Sequence, residues 1–366
     1  MTFTCMLQKI THLTPFYSPH IGGVETHVSE LNVELLKRGK YSVTVLTQQH
    51  ATELPRKEKI AGVAVVRLQG VSDLLEAKSF LAKLVYKCVI WVGMFRSARL
   101  LFESDVIHVH DVFWWLLPLY PFLKLRGKKI VTTFHGWEGK YPIPFFSKLQ
   151  RSKYNALSHG VLHVGAWIQE LYGDEPNSIV YGGIPSQSKP FIVLPNEFGM
   201  RHYPYTFVFI GRLEKVNEIE SYIQLVKLLT TSHFKPRVLW VGDGSLREAC
   251  EQVGEVVGNQ TDILPFLQRA KFVFANSYLS MLAAQAVGKI VLSFYSTRLK
   301  RKYLEAYPGY AHCIVAHKPT ALAERMAVPL QFSLADLTKK SETIMAFAKT
   351  QTWAKVADEY EWLWQR

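Results

Sequence analysis

The sequence predicts an α/β protein of two Rossmann-like parallel-sheet domains facing a cleft. Three observations carry this. Apolar runs rich in β-branched residues alternate with amphipathic, helix-length segments through the first half of the chain. The alternation stops at Tyr181–Pro204, a stretch punctuated by Gly182, Gly183, Pro185, Pro190, Pro195, Gly199 and Pro204, and then resumes. The chain has 366 residues, enough for two cores. The expected domains are 1–188 and 189–346, with a closing helix over 347–366 that returns toward the first.

The elements follow in order. Ile10–Phe16 reads as a first strand, and Val28, Leu31, Leu35 and Leu36 share one face of a helix. Strands are expected at Ser42–Thr47, Val63–Leu68, Val106–His110, Lys129–Phe134 and Gly160–Val164. Helices are expected at Phe80–Phe102, Trp114–Leu125, Ser147–Leu157 and Ala166–Tyr172. In the second half, strands are expected at Thr206–Gly211, Val238–Val241, Phe272–Ala275 and Ile290–Tyr295, and helices at Ile219–Leu229, Leu246–Val253, Leu279–Val287 and Ile344–Trp364. Right-handed crossovers place the loops that follow the strands along one edge. In the first domain that edge gathers Gly22-Gly23, His108–Asp111 and His135-Gly136.

Tyr17–Val28 is the stretch the chain is organised around. Gly22 and Gly23 lie between a strand and a helix, where missing side chains let the backbone approach a ligand and helix N–H groups await an anion. The alternative is a tight turn.

Composition narrows the function. The hydrophobic fraction of 48% excludes disorder. The net charge of +13 favours anionic partners: nucleotides, acidic lipids or nucleic acid. No recognised nucleic-acid module is present, so nucleic acid is not expected as a partner. Cys5, Cys88, Cys250 and Cys313 are far apart and form no CxxC pair, which fits a reducing cytosol rather than a disulfide framework or zinc site. No signal-peptide pattern opens the sequence. The most apolar stretch, Phe80–Phe102, is interrupted by Lys83, Lys87, Arg96 and Arg99, and its longest uncharged run, Cys88–Phe95, is far short of the ~20 apolar residues that span a bilayer. With Lys140–Lys153 it is either a membrane-surface patch or an ordinary buried helix with a basic outer face. Gly242-Asp243-Gly244 lacks the third glycine of a dinucleotide fingerprint, so hydride transfer is not expected.

Several segments together resemble the family-four glycosyltransferases of the GT-B fold: "THLTPFYSPHIGGVETHVSELNVELLKRG", "DVIHVHD", "KIVTTFHGWEG", "FVFIGRLEK", "VLWVGDGSLRE", "AAQAVGKIVL" and "TWAKVADEYEWLW". Their order and spacing span nearly the whole chain. The resemblance implies a retaining, metal-independent transferase with no cofactor, taking a sugar from a nucleotide-diphosphate donor held mostly by the second domain. The acceptor, a glycan or a lipid-linked glycan, belongs to the first. No Asp-x-Asp triplet is present.

The resemblance also assigns residues. Gly22 and Gly23 approach the diphosphate. His135 points at the donor sugar, although a strand-end His is equally a buried hydrogen-bonded residue. His110 or Asp111 lines the acceptor side, while His108 packs in the core; the two histidines share one face of a strand. Arg212 grips phosphate oxygens, with Gly242 and Gly244 in the turn near the nucleotide. Two departures stand out. Where the family has a phosphate-binding Lys, this chain has Asn217, with Lys215 as the nearby substitute. Where it has two Glu, this chain has the Asn276–Ser280 loop and then Ala283, leaving Ser277, Tyr278 and Leu279 to contact the donor. Gln285 faces away from Ala283 on a helix. Asn217 and Ala283 keep two rivals in view: a non-catalytic nucleotide-sugar binder or regulatory subunit, and a surface-binding module that uses only the basic patch. A cytoplasmic protein, peripheral on the inner face of a membrane or free of it, fits the leading reading.

Overall fold

A computed structural model describes residues 7–69, 79–136, 141–185, 203–231 and 234–366. The chain divides into two units, Met1–Val180 with Trp353–Arg366, and Tyr181–Thr352. The Gly- and Pro-rich stretch expected to be a linker lies largely outside the described residues, as do Cys5 and Lys140.

The first unit is an eight-stranded sheet. Its strands are β1 (Gln8–Leu13), β2 (Tyr41–Gln48), β3 (Lys57–Ile60), β4 (Val63–Leu68), β5 (Val106–His110), β6 (Lys129–Phe134), β7 (Gly160–Val164) and β8 (Ser178–Val180), in the spatial order β3-β4-β2-β1-β5-β6-β7-β8. Every pairing is parallel except β3–β4 at the edge. Residues of β5 are all buried, as expected of a strand covered on both faces. Leu13, Ile107, Val109, Ile130 and Phe134 share a core with Phe113 and Trp115.

The chain's last helix, Trp353–Gln365, belongs to this unit. Trp353, Val356, Ala357, Tyr360, Leu363 and Trp364 recur at helical spacing and are buried. Burying each large apolar side chain contributes roughly 1.5–3 kcal/mol. Gly160 makes room for the packing: a Cβ there would lie 2.4 Å from Leu363 Cδ1. Arg38 fixes the polar side, with ion pairs of 2.9 Å to both Asp358 and Glu361 and a 2.7 Å hydrogen bond to the Ala354 carbonyl.

The second unit is a six-stranded parallel sheet. Its strands are β9 (Tyr205–Ile210), β10 (Val238–Val241), β11 (Glu255–Val256), β12 (Ala270–Phe274), β13 (Ile290–Phe294) and β14 (Cys313–Ala316), in the order β11-β10-β9-β12-β13-β14. An aromatic core of Phe207, Phe209, Tyr222, Trp240, Phe272, Phe274 and Phe294 fills one side.

Several expected elements change. Phe80–Phe102 is two helices, Phe80–Arg96 and Ala98–Glu103. The expected helix at Trp114–Leu125 is a 3₁₀ turn at Phe113–Trp115 followed by Tyr120–Leu125, because Pro118 and Pro121 admit a helix only at its start. The closing helix is interrupted: Leu334–Ala348 and Trp353–Gln365 flank a segment where Thr352 bridges to Ile184 and the Ile184 N–H donates to the Gln351 carbonyl.

Candidate active site

Each sheet has one strand whose neighbours are reached by connections running in opposite directions. In the first unit this is β1, between β2 and β5; in the second it is β9, between β10 and β12. The loops at the carboxyl ends of such strands diverge and leave a crevice, the usual ligand position in open α/β sheets. Gly22 and Gly23, Asp111, and His135 follow β1, β5 and β6 in the first unit. Arg212, Asn276 and Ser296 follow β9, β12 and β13 in the second.

In the first unit the two glycines differ. Gly22 is extended, with φ −168°, a conformation open to any residue. The space of its missing Cβ is taken by Glu25, whose Oε2 would lie 2.3 Å away, and Glu25 Oε1 is itself 2.7 Å from His20 Nδ1. The clearance at Gly22 is thus filled by the Glu25 carboxylate. Gly23 begins the Gly23–Lys37 helix, and a Cβ there would meet nothing within 4 Å.

Beneath this loop lie five histidines from four elements, and sequence reading missed His12 and His27. His12 Nδ1 is 2.9 Å from His110 Nε2, and His110 Nδ1 is 2.9 Å from His135 Nε2. His108 stacks on His110 at 4.9 Å, and His27 meets His135 edge-on at 4.9 Å. A second chain runs alongside. The Trp364 indole N–H donates to His108 Nδ1 at 2.9 Å, and His108 Nε2 lies 2.7 Å from Thr133 Oγ1. The Thr133 hydroxyl donates to the Tyr360 hydroxyl, which lies 3.0 Å from His27 Nε2. Burial pushes His12 and His27 down to about 3, and His108, His110 and His135 well below the usual imidazole range.

This geometry corrects the expectation that His110 lines the acceptor side: it is fully buried, with both ring nitrogens engaged. Asp111 adopts φ +63° after β5, and its Oδ1 accepts the His135 backbone N–H at 3.0 Å. His135 is half-buried, and its Nδ1 makes no hydrogen bond to the described residues.

In the second unit Arg212 is exposed, and its guanidinium makes no hydrogen bond or ion pair with the described residues. Gly242 and Gly244 hold the neighbouring loop against it. A Cβ on Gly242 would lie 1.8 Å from the Gly211 carbonyl oxygen, and one on Gly244 2.6 Å from that of Leu213. Asn217 closes the Arg212 turn, donating from Nδ2 to the Arg212 carbonyl at 2.8 Å. Lys215 is exposed, with Nζ 3.7 Å from Glu220 Oε2.

Tyr278 departs from its expected donor contact. Its ring is buried, stacked 4.2 Å from Tyr303. Its N–H donates to the Tyr303 hydroxyl, and its own hydroxyl to the Tyr303 carbonyl. Ser277 is exposed, its Oγ 2.7 Å from Ser280 Oγ, and Leu279 is half-buried in the first turn of the Tyr278–Ala286 helix. Gln285 is wholly buried, bonded to Tyr307 and Gly309.

Two charged residues absent from the sequence reading sit at this edge. Lys300, from the Arg298–Glu305 helix, donates to the Asn276 carbonyl at 2.6 Å. Burial lowers it to about 8, against the opposing pull of Glu218. Glu218, at φ +61°, accepts the N–H and hydroxyl of Ser296 at 2.8 and 2.6 Å. Neither matches a motif, because each acts from an adjoining segment. Among the described residues no cluster of three His, Cys, Asp or Glu side chains has the arrangement of metal ligands.

Comparison with solved structures gives the fold. Sucrose-phosphate synthase from Thermosynechococcus elongatus superposes with a TM-score of 0.71 at 15% identity, covering 98% of each chain. The catalytic domain of starch synthase IV from Arabidopsis thaliana, bound to ADP and acarbose, gives 0.69 at 13%, covering 99% of each. Anabaena HepE, in complex with UDP and glucose, gives 0.68 at 13%, covering 97% of this chain and 98% of its own. The two units thus form the GT-B fold of glycosyltransferases. Residues 21–177 match the model of Glycosyltransferase Family 4. No curated protein matches in sequence.

Proposed function

We propose that this protein transfers a sugar from a nucleotide-diphosphate donor to a glycan or lipid-linked acceptor, with retention and without a metal ion. The observation that carries this reading is the placement of Arg212, exposed and without a side-chain hydrogen bond or ion pair to the described residues, and of Lys300 at the carboxyl edge of the second sheet. Two cations and the amides of the adjacent turns suit a diphosphate. They neutralise the charge that develops on it as the sugar departs. Lys300 takes up the role left open by Asn217. In the first unit His135 orients the transferred sugar. The UDP and ADP named with HepE and starch synthase IV support a nucleoside diphosphate as the leaving group.

The Phe80–Arg96 helix supports a lipid-linked acceptor at an anionic membrane surface. Only Ile90 and Met94 of this helix are buried; Phe80, Leu81, Leu84, Val85, Val92 and Phe95 are exposed beside Lys83, Lys87 and Arg96. The same helix borders an apolar groove of about 570 Å³ rimmed by Arg56, Lys57 and Arg96. No helix among the described residues is long and apolar enough to cross a membrane. The protein then works on the cytoplasmic face as a peripheral enzyme.

Thermal unfolding with UDP-, GDP-, ADP- and TDP-sugars, with and without magnesium, tests this. A donor at 100 times its dissociation constant adds about 2.7 kcal/mol. A selective, magnesium-independent shift that Arg212→Ala abolishes is the expected result. No shift with any donor points instead to a relative that has lost the reaction.

A further inference from the structure

We propose that His12 and His110 are positioning residues that fix the tautomer of His135, so that its Nδ1 carries the proton and meets the ligand as a hydrogen-bond donor. This rests on the reading of His135 as the residue that orients the transferred sugar.

The argument is one of proton counting. Each N···N contact of 2.9 Å needs one N–H and one lone pair. A neutral imidazole has one of each. His110, bonded at both nitrogens, therefore passes the direction of one contact on to the other. Only two arrangements satisfy both contacts. Either every proton points toward His135, or every proton points toward His12.

The far end of the chain chooses between them. His12 Nε2 is buried and has no hydrogen-bond partner among the described residues. Protons directed toward His12 place an N–H on that atom and leave a buried donor unpaired. Protons directed toward His135 leave only a lone pair there, the more tolerated of the two in protein interiors. Hence His12 Nδ1–H donates to His110 Nε2, and His110 Nδ1–H donates to His135 Nε2. The Nε2 lone pair of His135 is consumed, and its proton lies on Nδ1, the nitrogen without a partner among the described residues.

The surroundings hold this order in place. The second chain starts at the Trp364 indole, which can only donate, so the proton of His108 lies on Nε2. That chain runs through Thr133 and Tyr360 and ends on His27 Nε2 as acceptor. It supplies no proton to the first chain, and His27 meets the His135 ring only edge-on. Asp111 faces the His135 backbone N–H. Burial holds all five imidazoles neutral, so the order is static and His135 is a donor toward the sugar, not a base.

The test is nitrogen NMR of the ligand-free protein labelled with ¹⁵N-histidine, since a protonated ring nitrogen and a lone-pair nitrogen have well-separated shifts. The wild type is expected to show His135 protonated at Nδ1. His12→Phe removes the first donor, and His135 is expected to become a mixture of tautomers. His12→Asn, whose amide nitrogen stands near the former Nδ1, is expected to restore the single form. With ligand, His12→Phe is expected to weaken the nucleotide-sugar about tenfold, the scale of one hydrogen bond, and to leave the bare nucleoside diphosphate unaffected. A wild-type His135 protonated at Nε2 overturns the proposal, as does a His12→Phe protein with an unchanged tautomer. If His12→Phe does not fold, the wild-type spectrum and His12→Asn still decide. Tautomers as proposed, with no change in sugar-nucleotide affinity, keep the lock and remove His135 from the sugar.

Discussion

The Lys300 ammonium donates a 2.6 Å hydrogen bond to the carbonyl of Asn276, and so brings a cation to the end of β12 from a helix beyond β13. The contact gives a pH-dependent prediction. Burial lowers Lys300 to about 8, so its charge fades as pH rises through that value. Nucleoside diphosphate affinity is expected to fall between pH 7 and 9.5. Lys300→Arg, which stays charged, flattens the profile. Lys300→Met weakens binding at pH 7 by ~10–100-fold, the ~1.5–3 kcal/mol of a charged hydrogen bond. Titration calorimetry checks all three, and an unchanged affinity in Lys300→Met removes Lys300 from the site.

A second buried lysine bears on stability rather than binding. Lys289 lies over the Tyr203 ring, with Nζ 3.3 Å from the Gln268 carbonyl, and burial lowers it to about 7. Its folded value is below its unfolded one. Between about 7 and the ordinary lysine value the unfolded chain therefore holds more protons, and stability rises with pH across that window. Lys300 adds to the same slope above about 8. Lys289→Met is expected to be more stable than wild type at pH 6, by ~2–4 °C in Tm per kcal/mol removed, and to lose the advantage by pH 9.5. A Tm difference that does not vary with pH contradicts this.

Glycines at the two crevices separate folding from ligand approach. A Cβ on Gly242 collides with the Gly211 carbonyl, and φ is +146°. Gly242→Ala is expected to destabilise the second unit by more than ~3 kcal/mol in urea unfolding, the scale of strain added to overpacking. Gly23→Ala meets open space at a helix start and is expected to be neutral or slightly stabilising. Loss of donor binding in a stable Gly23→Ala protein therefore reports a ligand that comes close to the backbone. Retained binding shows that the Gly22-Gly23 loop is only a turn.

The alternation of strands and helices was legible because parallel strands buried on both faces read as unbroken apolar runs. The sequence-expected bounds for Gly160–Val164 and Val238–Val241 match the structure. The short edge strands β3, β8 and β11 were not, since Lys57–Ile60 is largely polar and Glu255–Val256 has only two residues. Arg212 stood out because a guanidinium directly follows a strand and a glycine. His12 and His27 did not, because their meaning depends on packing against His110, His135 and Tyr360, residues remote in sequence. Tyr278 misled for the same reason: its partner Tyr303 lies on another helix.

Ala283 and Gln285 test how the proposed donor's ribose is held. Ala283 is half-buried on the Tyr278–Ala286 helix, while Gln285 points into the core, accepting from the Tyr307 hydroxyl at 2.6 Å and donating to the Gly309 carbonyl at 3.0 Å. Gln285 thus has no group left for a nucleotide, and Gln285→Ala is expected to cost stability, about 1–3 kcal/mol for each buried partner left unpaired, with donor affinity unchanged in the protein that still folds. Ala283→Glu is the reciprocal change. Its carboxylate would stand where the sequence resemblance places one, and a charged hydrogen bond to a ribose hydroxyl is expected to tighten nucleotide binding by about 10-fold or more. Calorimetry on both variants checks the alignment. A tighter Ala283→Glu protein means the position faces the nucleotide and the natural chain binds its donor without that contact. No gain in Ala283→Glu, together with lost affinity in a folded Gln285→Ala protein, moves the ribose contact two residues along the helix and overturns the assignment.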